Sequence, residues 1–244
     1  TANDGSNGQE LWTSDGTEAG TIMVKDIHPS DSSYPNYLTA VDNILYFSAN
    51  NNVDGVELWV SDGSAVGTYM VENIHPAGDA YPTYLTNVGG TLFFRADNGD
   101  DGRDRELWKS DGTPTGAVRV KNIRLIGESV PASLTDINGT LFFTADDGTH
   151  VQELWTSDGT EAGTTLVKDI SEISSGPRQI TNVNGVAFFT ADDRTSSEFI
   201  HGYELWKSDG TSDGTVLVKD INPGPSPSLS YQSYFTAGGG KLFI

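Results

Sequence analysis

Residues 10–21 read ELWTSDGTEAGT, and the string returns four times: ELWVSDGSAVGT at 57–68, ELWKSDGTPTGA at 106–117, ELWTSDGTEAGT at 153–164 and ELWKSDGTSDGT at 204–215. The opening glutamates, Glu10, Glu57, Glu106, Glu153 and Glu204, stand 47, 49, 47 and 51 residues apart. Self-similarity at such a period marks a repeat architecture in which each copy is one supersecondary unit. Counting from Glu204 through the C-terminus and on to Glu10 gives a fifth step of 50 residues. The terminal KLFI followed by TANDG reads like the internal LFFRADNG and LFFTADDG, so the chain is expected to close on itself.

Working outward, each copy reads as four short strands. A run such as YLTNV leads through Gly89 and Gly90, or Asn138 and Gly139 in another copy, the residue chemistry of a tight hairpin. An aromatic run such as LFFTAD follows, then ELWxS, and Asp-Gly-Thr turns the chain into TxLVKDI. No segment sustains a 3.6-residue apolar period, so long helices are excluded. Four-stranded units in a closed ring predict an all-β, five-bladed β-propeller with four antiparallel strands per blade. Residues 1–244 are expected to be one domain, sealed by pairing of the N- and C-terminal segments within one blade.

Spacing separates a constant face from a variable one. From the ELW glutamate to the isoleucine ending VKDI the distance is 17 in every copy, and from the first-strand apolar residue to its second-strand partner it is 7. Length changes fall between second and third strands and on the way to the next copy. In an up-and-down sheet these connections emerge on the same side. Variable loops on a rigid scaffold are the usual seat of binding.

The five strings resemble the ELWxxDGT repeat of large bacterial surface and secreted proteins, and the resemblance runs through the whole chain. It implies an extracellular or cell-surface repeat protein and brings no established enzymatic activity. The departures are Ser64 and Ala117 in place of threonine, and Glu72 in place of the lysine of VKDI. No export signal opens the chain at TANDG, so any such signal is expected to have been removed or to lie outside this segment.

Composition narrows the partners. With 34 acidic and 14 basic side chains the net charge is −20, which repels nucleic acid and anionic membranes at long range. Cysteine is absent, so disulfide scaffolds and cysteine chemistry are excluded, and no apolar run is long enough to insert in a membrane. Glycans, other cell-surface or extracellular-matrix ligands, and cations remain.

The periodic residues have structural explanations. Asp15, Asp62, Asp111, Asp158 and Asp209 precede glycine and suit turn capping. Trp12, Trp59, Trp108, Trp155 and Trp206 suit packing between sheets. A loop centred between Thr17 and Glu18 would put Glu10 opposite Lys25 as a cross-strand ion pair, and Glu57 opposite Glu72 as a repulsive one.

Less periodic residues on the variable face are the binding candidates. Tyr34, Tyr37, Tyr81, Tyr84, Tyr231 and Tyr234 lie in YPNYL, YPTYL and YQSYF, where the other copies carry Val130, Ser133, Gly176 and Gln179. Tyrosine offers a flat apolar face with a polar tip, suited to stacking on a sugar. His28 and His75, in Ile-His-Pro, flank them, while His150 and His201 lie in loops and are not expected to converge with them. Calcium is the cation the loops would take. Asn50, Asn52 and Asp54 before Gly55 open like a calcium loop, though Ser61 stands where its last ligand belongs. Asp97, Asp100, Asp101 and Asp104 could also gather a hard cation.

No set of nucleophile, base and oxyanion donors assembles from the sequence, so the chain is expected to be non-enzymatic. A multivalent, lectin-like carbohydrate-binding or adhesion propeller is the leading reading. The alternatives are a structural or adhesive spacer of a larger extracellular protein and a calcium-binding propeller without a glycan ligand.

Overall fold

A computed structural model describes residues 1–100, 104–195, 201–230 and 233–244, which form strands and loops only. The chain divides into two compact units, Thr1–Arg119 and Val120–Ile244. In the first, β1 (Ala2–Asn3), β2 (Gln9–Thr13) and β3 (Ile22–Lys25) form a three-stranded sheet. Two four-stranded sheets follow: β4 (Asn36–Val41), β5 (Ile44–Asn50), β6 (Val56–Ser61) and β7 (Tyr69–Glu72), then β8 (Thr83–Val88), β9 (Thr91–Asp97), β10 (Arg105–Ser110) and β11 (Ala117–Lys121), the last running into the second unit. The second unit holds β12 (Ala132–Ile137), β13 (Thr140–Asp146), β14 (Gln152–Ser157) and β15 (Thr165–Lys168). It also holds β16 (Arg178–Val183), β17 (Val186–Asp192), β18 (Tyr203–Ser208) and β19 (Val216–Lys219), and a hairpin of β20 (Thr236–Gly238) and β21 (Lys241–Phe243). The expected sheets of four are thus present four times in order. The strands of the remaining repeat are divided between a three-stranded sheet and a hairpin.

One register serves all copies. The alanine ending the second strand faces the ELW glutamate: Ala49 opposite Glu57, Ala96 opposite Glu106, Ala145 opposite Glu153 and Ala191 opposite Glu204. The three-stranded sheet keeps it, with Ala2 opposite Glu10. Tight turns join the first two strands through left-handed residues, Gly89 and Gly90 or Asn138 and Gly139, as the hairpin chemistry requires. Phe47, Phe94, Phe143 and Phe189 are fully buried beside Trp59, Trp108, Trp155 and Trp206, which confirms the packing role of those tryptophans.

The DGT loop explains its own sequence. Asp15 Oδ1 accepts from Thr17 N and Thr17 Oγ1, and the aspartate recurs in that role at Asp62, Asp111, Asp158 and Asp209. These bonds hold Asp15, Asp62, Asp111 and Asp209 below the usual carboxylate pKa, with the threonine or serine hydroxyl the main cause. A Cβ at Gly20 would lie 2.0 Å from the Asp15 carboxylate, so the glycine five residues after the aspartate has no substitute.

The expected Glu–Lys pair is corrected. A β-bulge between Leu11 and Trp12 shifts the third and fourth strands by one residue, so Lys25 faces Leu11, and Glu72 faces Leu58 rather than Glu57. Three of these lysines instead donate to a backbone carbonyl of the residue ending the next DGT loop: Lys25 Nζ to Thr68 O at 2.7 Å, Lys121 to Thr164 at 2.8 Å and Lys168 to Thr215 at 2.9 Å. The freed glutamates are fully buried and turn to the loop that leaves the fourth strand. Glu10 accepts from Ile27 N, Ser33 N and Ser33 Oγ, and Glu204 from Ile221 N, Ser228 N and Ser228 Oγ.

Candidate functional site

The glutamate that anchors this loop also shapes the segment after it. Ser33 N and Tyr34 N donate to Gln9 O, and Asn50 N donates to Ser33 O. Ala80, Tyr81 and Asp97 repeat the pattern with Val56 O and Ala80 O. Pinned there, the chain crosses a bulge in the first strand and takes positive φ twice: 50° at Tyr34 and 55° at Tyr37, 47° at Tyr81 and 56° at Tyr84. A tyrosine in that conformation carries about 1–2 kcal/mol of strain. The result is four tyrosines about half exposed, held by a rigid backbone.

Three of them meet. Tyr34, Tyr37 and Tyr81 line a cleft of about 230 Å³ with Asn36, Ser48 and Asn50. Tyr81 and Thr83 also line an adjoining cleft of about 490 Å³, walled by His75, Asp79, Arg95, Asp97 and Arg105. Arg95 donates through Nε to Thr83 Oγ1, and its guanidinium lies 4.8 Å from the centre of the Tyr84 ring. Hydrogen bonding to Asp79 pushes the Tyr81 hydroxyl pKa up.

Tyr234 is exposed in the second unit, and Tyr231 lies outside the described residues. His28 is buried, and Nδ1 of both His28 and His75 is buried without a hydrogen bond. His150 and His201 bond to Asp147 and Asp193 at 2.7 Å, and those hydrogen bonds raise both imidazole pKa values.

The loop acids are engaged within their own loops. Asn50 Oδ1 accepts from Asn52 N, and both oxygens of Asp54 accept amide donors, from Asn51 and Asn73. Asp97 caps Gly99 N and Asp104 N, Asp100 accepts from Asn98, and Asp104 pairs with Arg119 at 2.7 Å. Asp101 lies outside the described residues. Among the described residues no three His, Asp or Glu side chains gather to hold a metal.

Two features escaped the sequence reading. Burial pushes Glu57 up to about 8 and Glu153 up to about 7. Glu153 receives Ser175 Oγ as a donor, whereas the corresponding residue beside Glu57 is Ala80, which offers only its N–H. The second is the arginine pair. Arg95 stands where other sheets carry Ser48, Thr144 and Thr190, and Arg105 where they carry Val56, Gln152 and Tyr203. Aligning the five copies against one another was the signal that could have found it.

No family model and no curated protein matches the chain. Among solved structures it is similar to a puromycin hydrolase, at 17% identity over 76% of this chain and 32% of that one, with a TM-score of 0.43. It is also similar to an exo-β-1,3-galactanase from Clostridium thermocellum, at 11% identity over 82% of this chain and 50% of that one, with a TM-score of 0.35. An α-L-arabinofuranosidase from Clostridium thermocellum ATCC 27405 matches at 14% identity over 77% and 74%, with a TM-score of 0.32. The chain thus spans about a third of the hydrolase and half of the galactanase. These proteins are enzymes, two of them named for glycans, and on that finding the expectation of a non-enzymatic chain is withdrawn. Likeness at this level transfers neither an activity nor a residue role.

Proposed function

We propose that the chain is a carbohydrate-binding propeller of the ELWxxDGT type, exposed at the cell surface or secreted, and that the tyrosine cleft is its saccharide site. The observation that carries this is the convergence of Tyr34, Tyr37 and Tyr81 with Asn36, Ser48 and Asn50 in one cleft. Aromatic faces cover the C–H surface of a sugar, while amide and hydroxyl groups orient its hydroxyls. Backbone strain is already met by the hydrogen bonds that pin the loop, so the rings are held ready without a ligand.

The reading includes a closed ring of five repeats. Its support is a gap in the first unit. Tyr46 lies against Gly112, and Phe142 against Gly210, one repeat further on in each case. Gly63 occupies the same position and has nothing within 4 Å, beside an apolar cleft of about 330 Å³ lined by Trp12 and Leu45. The residue at the matching place of the remaining repeat is Phe243, which is exposed. Closure would bring its ring to that cleft and set β21 beside β2.

A glycan array with the full chain tests the function, alongside a variant carrying Tyr34→Ala, Tyr37→Ala and Tyr81→Ala. Saccharide binding by the parent and its loss in an equally stable variant is the expected result. A folded parent that binds no glycan ends the carbohydrate reading.

A further inference from the structure

The tyrosine cleft is uncharged in a strongly charged protein. The chain carries a net charge of −20, yet among the described residues no Asp, Glu, Lys, Arg or His lines the cleft of about 230 Å³. Tyrosine, asparagine, serine and threonine supply its polar groups, and Val56 and Pro82 add apolar surface. An ionic group moved from water onto such a lining loses hydration and meets no counter-charge. The adjoining cleft does not supply one. Its two aspartates and two arginines cancel in charge and are tied into the fold. Asp79 takes Val56 N and the Tyr81 hydroxyl, Asp97 takes Gly99 N, and Arg95 and Arg105 are engaged within the protein.

Two amides of the tyrosine cleft keep one end open. Asn36 commits Nδ2 to Tyr34 O at 2.9 Å, and among the described residues its Oδ1 has no donor. Asn50 commits Oδ1 to Asn52 N at 2.7 Å, and its Nδ2 has no acceptor among them. The hydroxyls around them are taken, Ser33 Oγ by Glu10 Oε2 and Thr83 Oγ1 by Arg95 Nε. One open acceptor and one open donor match a pair of neighbouring sugar hydroxyls, since each hydroxyl can give or receive a hydrogen bond. Size sets the length recognised. Pockets that enclose a drug-sized molecule run to about 300–1,000 Å³. The smaller tyrosine cleft therefore seats one ring rather than a run of them.

We propose that the cleft is a single-residue site for a neutral hexopyranose, with two neighbouring hydroxyls held by Asn36 Oδ1 and Asn50 Nδ2 and the ring face laid on tyrosine. The inference rests on the carbohydrate reading above and adds the class of sugar and the length recognised. Charge of either sign at the sixth carbon is selected against. An anion is opposed by the net charge of the chain as well as by the lining. A cation drawn toward the acidic surface still gives up its hydration at an uncharged wall.

The test is isothermal titration calorimetry of the full chain with methyl hexopyranosides of the galacto, gluco and manno series, each bearing a hydroxymethyl, a carboxylate or an aminomethyl group at the sixth position. In at least one series the neutral member should bind, with both charged members at least about ten-fold weaker. A disaccharide ending in that hexose should bind within about three-fold of the methyl glycoside, because its second ring lies outside the cleft. Asn50→Asp keeps the oxygen that receives Asn52 N and replaces the open donor by an acceptor. It should weaken the neutral sugar about ten-fold with Tm unchanged. Should Asn50→Asp fail to fold, the ligand series decides. A charged member that binds as tightly as the neutral one overturns this inference alone. So does undiminished binding in folded Asn50→Asp, or binding that emerges only with longer oligosaccharides. Absence of binding by monosaccharides and oligosaccharides alike overturns the carbohydrate reading and this inference with it.

Discussion

Two repeats of the first unit place tyrosines at 34, 37, 81 and 84, and two repeats of the second place Val130, Ser133, Gly176 and Gln179 at the corresponding positions, yet the backbone of these four is the same. Val130 and Ser133 take φ of 48° and 55°, and Gly176 and Gln179 take 50° and 57°. The unfavourable backbone therefore belongs to the repeat and is no sign of function at any one site. What distinguishes the units is the side chain set on that backbone. In the first it builds an aromatic cleft. In the second, Gln179 donates to Ser233 O and Arg178 sits over Tyr203, 4.8 Å from its ring centre.

If the buried glutamates enforce the shared backbone, removing one should damage either unit alike. Glu57→Ala strips the acceptor from Ile74 N and His75 N, and Glu153→Ala from Ile170 N and Ser175 N. Each variant should lose about 2–5 kcal/mol in urea unfolding, since two buried donors are left without partners. A large loss in one unit and none in the other would break the common explanation.

Side chains should then be exchangeable with far less effect on stability. The triple alanine variant of Tyr34, Tyr37 and Tyr81 should weaken saccharide binding by about ten- to hundred-fold, because two or more stacking faces vanish. Its Tm should change by only a few degrees. In the converse experiment, Val130→Tyr with Ser133→Tyr should add tyrosines to a backbone already bent to carry them, and calorimetry would count any new binding site.

Glu153 has a hydroxyl donor that Glu57 lacks, and pH should expose it. Both folded-state values lie above the ordinary 4.5, so the stability that each protonated group contributes is complete below that value. It is lost as pH rises, up to about 8 for Glu57 and about 7 for Glu153. Ala80→Ser should supply the hydroxyl that Ser175 gives Glu153, lower the Glu57 value and narrow that window. Thermal melts between pH 4.5 and 8.5 measure this; an unchanged slope in Ala80→Ser would mean that the missing hydroxyl is not the cause.

The repeat was legible because its parts are local. Period, hairpin residues, the Asp-Gly turn and the packed tryptophans all follow from residues a few places apart. The Glu10–Lys25 pair was misread because a bulge between Leu11 and Trp12 leaves no mark on the alternation of residue types, yet reverses which face each side chain takes. The tyrosines stood out by residue type, but their grouping did not, since Tyr34 and Tyr81 are one repeat apart and meet only when two sheets stack. Asn50, Asp54 and Asp97 looked like cation ligands by composition; local amides occupy them instead.

Two departures from the repeat that look unrelated in sequence meet at one junction. Lys25, Lys121 and Lys168 each reach the carbonyl of the residue ending the next DGT loop. At the remaining such junction in the first unit the lysine is Glu72 and the threonine is Ala117, while Thr115, at φ 68°, donates its N–H to Val71 O. Glu72 Oε2 is buried there without a hydrogen bond, an acceptor set where its counterparts are donors. Glu72→Lys should therefore stabilise the first unit by about 0.5–1.5 kcal/mol, the net worth of one restored hydrogen bond. The mirror substitution Lys168→Glu should cost the second unit at least as much. Equal urea midpoints for the parent and Glu72→Lys would show that the rearranged loop around Thr115 already compensates for the lost tether.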